Sequence, residues 1–477
     1  MIQELLTFTP FGGGRGNAGP RIPAQASHFE HAPRMVALVG CVALHRPSQL
    51  LAVGFDSGSL DLHAVGTDGV SNPRLTTLAA LHAGGILCAA FSSDGSLLLT
   101  SGTDGRIQFI ECELMGSKSA ALVGTVALVS QDGATSGAEG LHIESIVADG
   151  ELWLAPVGKR IAVGRLSRQG DGIVQYVGPL HHAIDAVQLL PALGSGDGGI
   201  AAASFGGVSL WRHAEASGTG DASDGACVYV ERAPRLCAAR CSHDGDLACD
   251  GWARSLVSSP DGEWLASWVM IAGDEPTKLW LWRTSDGADF ECGGFSSPLG
   301  ICALAWRADS HALCSCCGAE ALVWAFPQPY APSAEAARGG EVAARRAQRE
   351  GPAGRAPLKF QSGNGHSPFL SAAFSPDGFW LACGTADGHV LLFAANEAAG
   401  TQAASGRVPH AQYRWALVSG GLGRASPVEH LLWVTDMRLL ASGPSMQGVA
   451  TWEVARHHVD RGELFSDSGK RPLPTDE

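Results

Sequence analysis

The chain has 477 residues, of which 45% are hydrophobic and 17% charged, and its formal net charge is -14. This charge argues against nucleic acid as a partner, because phosphate binding needs a basic surface. No apolar run reaches the roughly 18 residues of a membrane-spanning helix, so no membrane insertion is expected. The 62 glycines and 25 prolines favour many turns and short elements over long helices.

The cysteine content and the start of the chain bear on location. The 13 cysteines are irregularly spaced, which suits reduced thiols better than a disulfide framework. The first residues lack the basic start and long apolar stretch of a secretory signal. We therefore expect a soluble, intracellular protein of the cytoplasm.

Residues 1–34 are rich in glycine and proline, and we expect a leader that contributes at most one strand. After it, one pattern recurs along the chain. Its clearest copies are SSDGSLLLTSGTDGRIQFI at Ser92–Ile110 and SPDGFWLACGTADGHVLLF at Ser375–Phe393. Each copy has two aspartates ten positions apart, and a histidine precedes the first of them by 12 or 11 positions. These residues are His82, Asp94 and Asp104 in one copy, and His366, Asp377 and Asp387 in the other.

The repeated unit predicts three short strands joined by tight turns. An apolar strand leads into an Asp-Gly turn, where glycine adopts a positive φ at little cost. The second strand is nearly continuous in apolar residues, as expected when both of its faces are buried. A second Asp-Gly turn leads into the third strand. Such a meander is too small to fold alone, so the copies must pack on one another.

Six further segments follow the same pattern with more erosion, and with the two clear copies they give eight units between about residues 35 and 454. They are Leu38–Val65, Leu141–Leu166, His182–His213, Arg254–Thr284, Ile301–Phe326 and Ser426–Val454.

Three segments depart from the pattern. Residues 214–226 are expected to form a flexible acidic loop, and residues 455–477 a polar C-terminal tail. Residues 327–365 are predicted to be a long insertion that is locally basic through Arg338, Arg345, Arg346 and Arg349. This insertion is either a solvated loop or an arm that binds an acidic partner protein.

No motif indicates catalysis or cofactor binding. The chain lacks a Gly-x-Ser-x-Gly elbow, a phosphate loop and a His-Glu-x-x-His pair. The run HALCSCCGAE brings His311, Cys314, Cys316 and Cys317 close in sequence, and we weigh a zinc site against core packing. Strand alternation sends Cys314 and Cys316 to one face and Cys317 to the other, which favours core packing. We therefore expect no metal, no cofactor and no catalytic residue.

The repeat resembles the WD-repeat β-propeller family, whose units carry a Gly-His pair, an Asp-Gly turn and a closing Trp-Asp. Gly365, His366 and Asp387 match the first two features. The tryptophan position is occupied by Trp211, Trp282, Trp324 and Trp452, whereas Ile110 and Phe393 replace it in the two clearest copies. The stretches Ala201–His213 and Ser259–Gly287 are similar to stand-alone bacterial-type WD-repeat proteins in particular.

The resemblance implies an all-β propeller at about residues 35–454, with four-stranded antiparallel blades. Eight blades are favoured, and seven remain the alternative if Leu38–Val65 or Leu141–Leu166 is peripheral. It also implies a tetrad of His, Ser or Thr, Asp and Trp that stiffens each blade. Partial sets are present as His82, Thr100 and Asp104, and as His366 and Asp387.

The resemblance further implies a non-catalytic scaffold or adaptor that binds other proteins, either free or as a subunit of a larger assembly. The alternative is an enzyme with its site in the central channel of the propeller. That alternative requires a cluster of acids and histidines in the channel.

Overall fold

The computed structural model describes residues 37–454 apart from 66–73, 114–118, 129–142, 144, 150–151, 167–173, 181, 191–198, 205–206, 214–228, 232–250, 272–277, 285–288, 295–300, 327–356, 362–366, 395–417, 422–426, 445 and 447–448. The described residues form 31 strands and no helix. None of them therefore forms a helix that could cross a membrane.

The strands form eight antiparallel sheets, numbered here in chain order. The strands of sheets 1 to 4 are β1 Val39–His45, β2 Leu50–Phe55, β3 Leu60–Ala64, β4 Arg74–Leu78; β5 Ile86–Phe91, β6 Leu97–Gly102, β7 Arg106–Cys112, β8 Ala120–Ala127; β9 Val147–Asp149, β10 Leu152–Val157, β11 Arg160–Arg165, β12 Gln175–Val177; and β13 Ile184–Leu190, β14 Gly199–Ser204, β15 Gly207–His213, β16 Tyr229–Glu231.

The strands of sheets 5 to 8 are β17 Gly251–Ser258, β18 Trp264–Ile271, β19 Lys278–Arg283, β20 Asp289–Gly294; β21 Ile301–Trp306, β22 Ala312–Cys317, β23 Glu320–Ala325, β24 Leu358–Gln361; β25 Phe369–Phe374, β26 Trp380–Thr385, β27 His389–Ala394, β28 Val418–Gly421; and β29 His430–Thr435, β30 Arg438–Ser442, β31 Ala450–Glu453. Sheet 8 has three strands among the described residues, and every other sheet has four.

The second strand of each unit is buried on both faces, which confirms the prediction from its continuous apolar sequence. Every residue of β6 is buried. Leu98 packs against sheet 1, while Leu97 and Leu99 pack against sheet 3. Because successive side chains point to opposite faces, a strand between two neighbouring sheets needs apolar residues at every position.

The outer strands are the elements that the sequence pattern did not reveal. β8 consists of exposed and half-buried residues in no strict alternation and has no buried position. β24 lies inside the segment predicted to be a long insertion at 327–365 and pairs with β23. A four-residue edge strand gives too weak a pattern to recognise, so the sequence did not separate β24 from the insertion expected at 327–365. The leader, residues 1–34, and the tail, residues 455–477, lie outside the described residues.

The eight sheets close into a ring. The first strands contact one another in a complete cycle, from β1 through β5 and onward to β29 and back to β1, so they surround the axis. A separate hydrophobic core lies between each pair of neighbouring sheets, including sheets 8 and 1, where Leu440 and Val434 pack with Val53. Val39 N also donates a hydrogen bond to Met446 O at 2.9 Å across this junction. The fold is a β-propeller.

Both of the weak repeats, Leu38–Val65 and Leu141–Leu166, contribute to complete four-stranded sheets of the ring. This arrangement is consistent with the eight blades that the sequence favours.

Candidate functional site

The antiparallel order of the strands defines two faces of the ring. The turns between first and second strands lie at the same end of each sheet as the connections between third and fourth strands. We call this end the connection face, and the other end the opposite face. The segments 214–228, 327–356 and 395–417 all join a third strand to a fourth, so their flanking strand ends lie at the connection face.

A Ser-x-Asp-Gly turn builds the connection face in sheet 2. Ser92 Oγ donates to Asp94 Oδ1 at 2.6 Å and accepts from Leu97 N at 3.0 Å. Ser96 N donates to the same carboxylate at 3.0 Å, and Gly95 has a φ of 71°. The hydrogen bond from Ser92, followed by those from Ser96, lowers the pKa of Asp94 to about 2. The aspartate is thus held ionised as a turn residue.

The same turn recurs in sheets 5 and 7. Ser259 Oγ accepts a hydrogen bond from Trp264 N at 2.9 Å, and Ser375 Oγ accepts one from Trp380 N at 2.8 Å. In both turns the serine hydroxyl also donates to the aspartate two positions later. This recurrence explains why the aspartates of the first turn are spaced so regularly, and it assigns them no acid–base chemistry.

Four pairs of neighbouring sheets are bonded to each other at or beside their first turns, and we call these contacts the turn belt. Arg46 Nε of sheet 1 donates to Trp433 O of sheet 8 at 2.8 Å, and His45 Nε2 lies 3.0 Å from Ser93 O of sheet 2. Further along, Asp261 N donates to Ser310 Oγ at 3.0 Å, and Asp377 N donates to Asp436 Oδ1 at 2.9 Å. The belt thereby links sheets 8, 1 and 2, sheets 5 and 6, and sheets 7 and 8 at the connection face.

The turn belt could not be predicted from the sequence. Its contacts join residues from different repeats, and only the geometry of the ring brings them together. Another such contact joins Gly378, whose φ is 71°, to the Arg307 side chain of the preceding sheet.

On the opposite face the structure brings together three of the predicted tetrad residues. His82 Nδ1 lies 2.9 Å from Asp104 Oδ1, and His82 Nε2 lies 2.9 Å from Thr100 Oγ1. Because an ionised carboxylate only accepts, Nδ1 carries the proton and Nε2 accepts from the threonine hydroxyl. Burial opposes ionisation of Asp104, but bonds from His82, Ala83 N and Arg106 N outweigh it and leave the pKa of the carboxyl lowered.

The tryptophan position of this blade holds Ile110, which is completely buried in the core between sheets 1 and 2. The His82, Thr100 and Asp104 network thus exists without an indole. Elsewhere, Trp324 Nε1 donates to Ser315 Oγ at 2.9 Å, whereas Trp282 is completely buried and its Nε1 donates to no acceptor among the described residues. Trp211 is buried between sheets 3 and 4. Packing is the feature that these tryptophans share.

The remaining predicted residues are placed as follows. Asp387 lies in the second turn of sheet 7, where burial opposes its ionisation but bonds from Thr385, Ser367 and His389 lower its pKa to about 2. Trp452 belongs to β31 and pairs with Leu439. His366 and the four arginines Arg338, Arg345, Arg346 and Arg349 lie outside the described residues. The structure thus tests neither the second partial tetrad nor the basic arm.

The cysteine run divides as strand alternation predicted. Cys314 and Cys316 face the core between sheets 6 and 7, and Cys317 faces the core between sheets 5 and 6. His311 lies outside the set of converging thiols. The structure adds Cys383 of β26, whose sulfur joins those of Cys314 and Cys316. The sequence could not reveal this third thiol, because it requires knowing which strands face each other.

Comparison with known proteins agrees with the geometry. Residues 74–111 and 358–393 match the family model described as WD domain, G-beta repeat. Each match begins at an outer strand, β4 or β24, and extends through the third strand of the following sheet. A search of curated proteins found no match to the sequence.

Solved structures share the fold at low identity. Sqt1 of Saccharomyces cerevisiae is 13% identical, with 90% of this chain and 98% of that chain covered at a TM-score of 0.59. Chaetomium thermophilum Sqt1 bound to the N-terminus of the ribosomal protein L10 is 14% identical. The match covers 88% of this chain and 97% of that chain at a TM-score of 0.58. The β-propeller domain of Cps50 (Swd1) from Myceliophteria thermophila is 11% identical. The match covers 91% of this chain and 100% of that chain at a TM-score of 0.51. The chain is therefore an all-β protein with the WD40 type of β-propeller fold.

Proposed function

We propose that this protein is a non-catalytic scaffold that binds other proteins through the connection face of its propeller. The turn belt is the observation that carries the proposal. It bonds sheets 8 and 1, 1 and 2, 5 and 6, and 7 and 8 to each other at this face, and a surface whose parts are held before binding loses less conformational entropy when a partner binds. The long third-to-fourth-strand connections start and end on the same face.

Exposed side chains of the belt offer contact points for a partner. Met437, in the first turn of sheet 8, is 40% exposed and is one of two large hydrophobic side chains exposed among the described residues. Pro260 and Ala308 are exposed in the first turns of sheets 5 and 6. Methionine is enriched at protein interfaces, and loops on a rigid scaffold commonly carry binding residues.

The composition of several first strands also supports binding rather than catalysis. The first strands around the axis are mainly apolar, as in the sequences ILCAAF of β5 and FLSAAF of β25. Among the described residues, the group of three or more potential metal ligands whose ligand atoms converge is Cys314, Cys316 and Cys383, and it lies between sheets rather than in the channel. The solved Sqt1 complex with the N-terminus of ribosomal protein L10 shows that another propeller of this fold holds a peptide.

We further propose that Arg338, Arg345, Arg346 and Arg349 form an arm for an acidic partner protein, and that the protein acts as a stand-alone module in the cytoplasm or as a subunit of a larger assembly. The net charge of -14 makes a local group of arginines the exception on this chain. Exposed opposite charges steer association and set specificity more than they raise affinity.

The test is a deletion of residues 328–356 with a short Gly/Ser turn in their place, which leaves β23 and β24 able to pair. The expected result is weaker co-purification of partner proteins and an unchanged thermal melt. A matched control replaces the acidic residues 214–226 of the same face and should retain the partners. Full retention of partners by the 328–356 deletion would refute the arginine arm, and complete absence of any protein partner would refute the scaffold.

A further inference from the structure

Three buried cysteines from two neighbouring sheets converge on one point of the propeller. Cys314 and Cys316 alternate on β22, so both side chains point toward sheet 7, and Cys383 lies on the facing strand β26. The three sulfur atoms all lie within 4.8 Å of one another, and the Cys314 and Cys316 sulfurs are 3.9 Å apart. All three residues are 0% exposed.

The surroundings of this thiol cluster are apolar. It belongs to the core between sheets 6 and 7, together with Ala312, Val323, Leu381 and Leu391. Burial raises the pKa of the Cys383 thiol well above its usual value. Three bare thiolates would therefore be costly here, and the thiols remain protonated unless a cation replaces a proton.

The spacing of the sulfurs fits a metal ion in a planar, three-coordinate setting. Metal–sulfur bonds of about 2.3 Å place three sulfurs about 4.0 Å apart. The observed separation of 3.9 Å and the upper limit of 4.8 Å bracket that value. Small movements of the cysteine side chains would suffice to close the site.

We propose that Cys314, Cys316 and Cys383 form a buried binding site for copper(I) that joins sheets 6 and 7. Soft thiolate ligands select copper(I), whereas structural zinc sites almost always have four ligands in a tetrahedron. The group found among the described residues supplies three sulfurs and no fourth ligand.

The coordination number decides between the two ions. A cysteine ligates a metal ion as its thiolate, so binding releases a proton from each ligating thiol. Zinc(II) bound by these three cysteines would still lack its fourth ligand among the described residues. Because the residues are completely buried, the ion enters while the chain folds or while sheets 6 and 7 separate transiently.

The test is anaerobic refolding of the full chain in the presence of the copper(I)–acetonitrile complex, followed by dialysis against a weak copper(I) chelator and measurement of bound copper. Wild-type protein is compared with Cys314→Ala and Cys383→Ala. The matched control is Cys317→Ala, which removes an equally buried thiol from the opposite face of the same strand. We expect the two cluster variants to lose about one copper ion per chain relative to wild type, and the control to lose none.

Two measurements on the wild type keep the proposal testable if a variant fails to fold. X-ray absorption of the copper-loaded protein should show three sulfur ligands, and the thermal melt should rise on loading, because a ligand that binds only the folded state stabilises it. Equal copper content in wild type, Cys314→Ala and Cys383→Ala would overturn the proposal. So would a copper environment that lacks three sulfurs, or preferential binding of zinc in competition.

Discussion

The substitution Asp104→Ala should destabilise the fold well beyond the loss of a typical surface carboxylate. The Asp104 side chain accepts hydrogen bonds from His82 Nδ1 at 2.9 Å, Ala83 N at 3.1 Å and Arg106 N at 3.2 Å. The His82 side chain is 0% exposed, so removing the carboxylate takes the acceptor from a buried Nδ1 donor. Most of the lost stability therefore comes from one buried donor, His82 Nδ1.

The magnitude follows from these partners. A buried donor left without an acceptor costs about 1–3 kcal/mol, and an ordinary hydrogen bond contributes roughly 0.5–1.5 kcal/mol. The two backbone donors lie nearer the surface, where water replaces part of what they lose. We therefore expect Asp104→Ala to lower the free energy of unfolding by about 2–4 kcal/mol.

Asp387→Ala is the matched control, because the same turn aspartate in sheet 7 and the histidine that it contacts are both more exposed. The side chains of Asp387 and His389 are 42% and 41% exposed. Its loss should cost less than about 1.5 kcal/mol. Urea denaturation followed by far-UV circular dichroism measures both variants against wild type. Equal losses for the two variants, or a loss below about 1 kcal/mol for Asp104→Ala, would refute the structural role of the buried histidine.

Three further outcomes are expected. Gly378→Ala should lower the free energy of unfolding by about 1–2 kcal/mol, because a φ of 71° is strained for any residue with a Cβ atom and this atom would also meet Arg307. An unchanged midpoint of chemical denaturation would contradict this turn geometry. Trp324→Phe should lower the free energy of unfolding by about 1 kcal/mol more than Trp282→Phe, since only the first substitution removes a hydrogen bond to a described partner. Equal denaturation midpoints for the two variants would argue against that bond. Because the folded-state pKa of Asp94 is about 2, below the ordinary 3.8, its ionised form stabilises the fold above pH of about 4. That contribution is lost as the pH falls toward 2, so Asp94→Asn should make the free energy of unfolding depend less on pH in this range. An unaltered plot of unfolding free energy against pH would exclude the Ser92 bond as the cause.

The parts of the fold that the sequence predicts are those determined by residues close together in the chain. The turn at Asp94 and Gly95 and the continuous apolar run of β6 each specify their structure within a few residues. These predictions succeed because hairpin turns and buried strands are determined by neighbours along the chain. The closed ring of sheets, by contrast, was implied by the resemblance of these units to WD repeats.

The parts that sequence does not predict depend on contacts between repeats. β24 was missed because a short edge strand carries little apolar pattern. The bond from Arg46 to Trp433 joins residues 387 positions apart, and Cys383 meets Cys314 only because sheets 6 and 7 face each other. No local signal encodes such pairs, so the turn belt and the thiol cluster become visible only in the closed ring.

Site-specific photo-cross-linking tests the central claim, that partner proteins bind the connection face, most directly. A photoreactive amino acid is placed at the exposed positions Pro260, Ala308 and Met437 of the connection face, and at Ser57 and Lys159 in second turns of the opposite face. The scaffold proposal predicts that partner proteins from source cells become covalently linked from the first three positions and not from the last two. Links from Ser57 and Lys159 alone, or no links from any position, would contradict it.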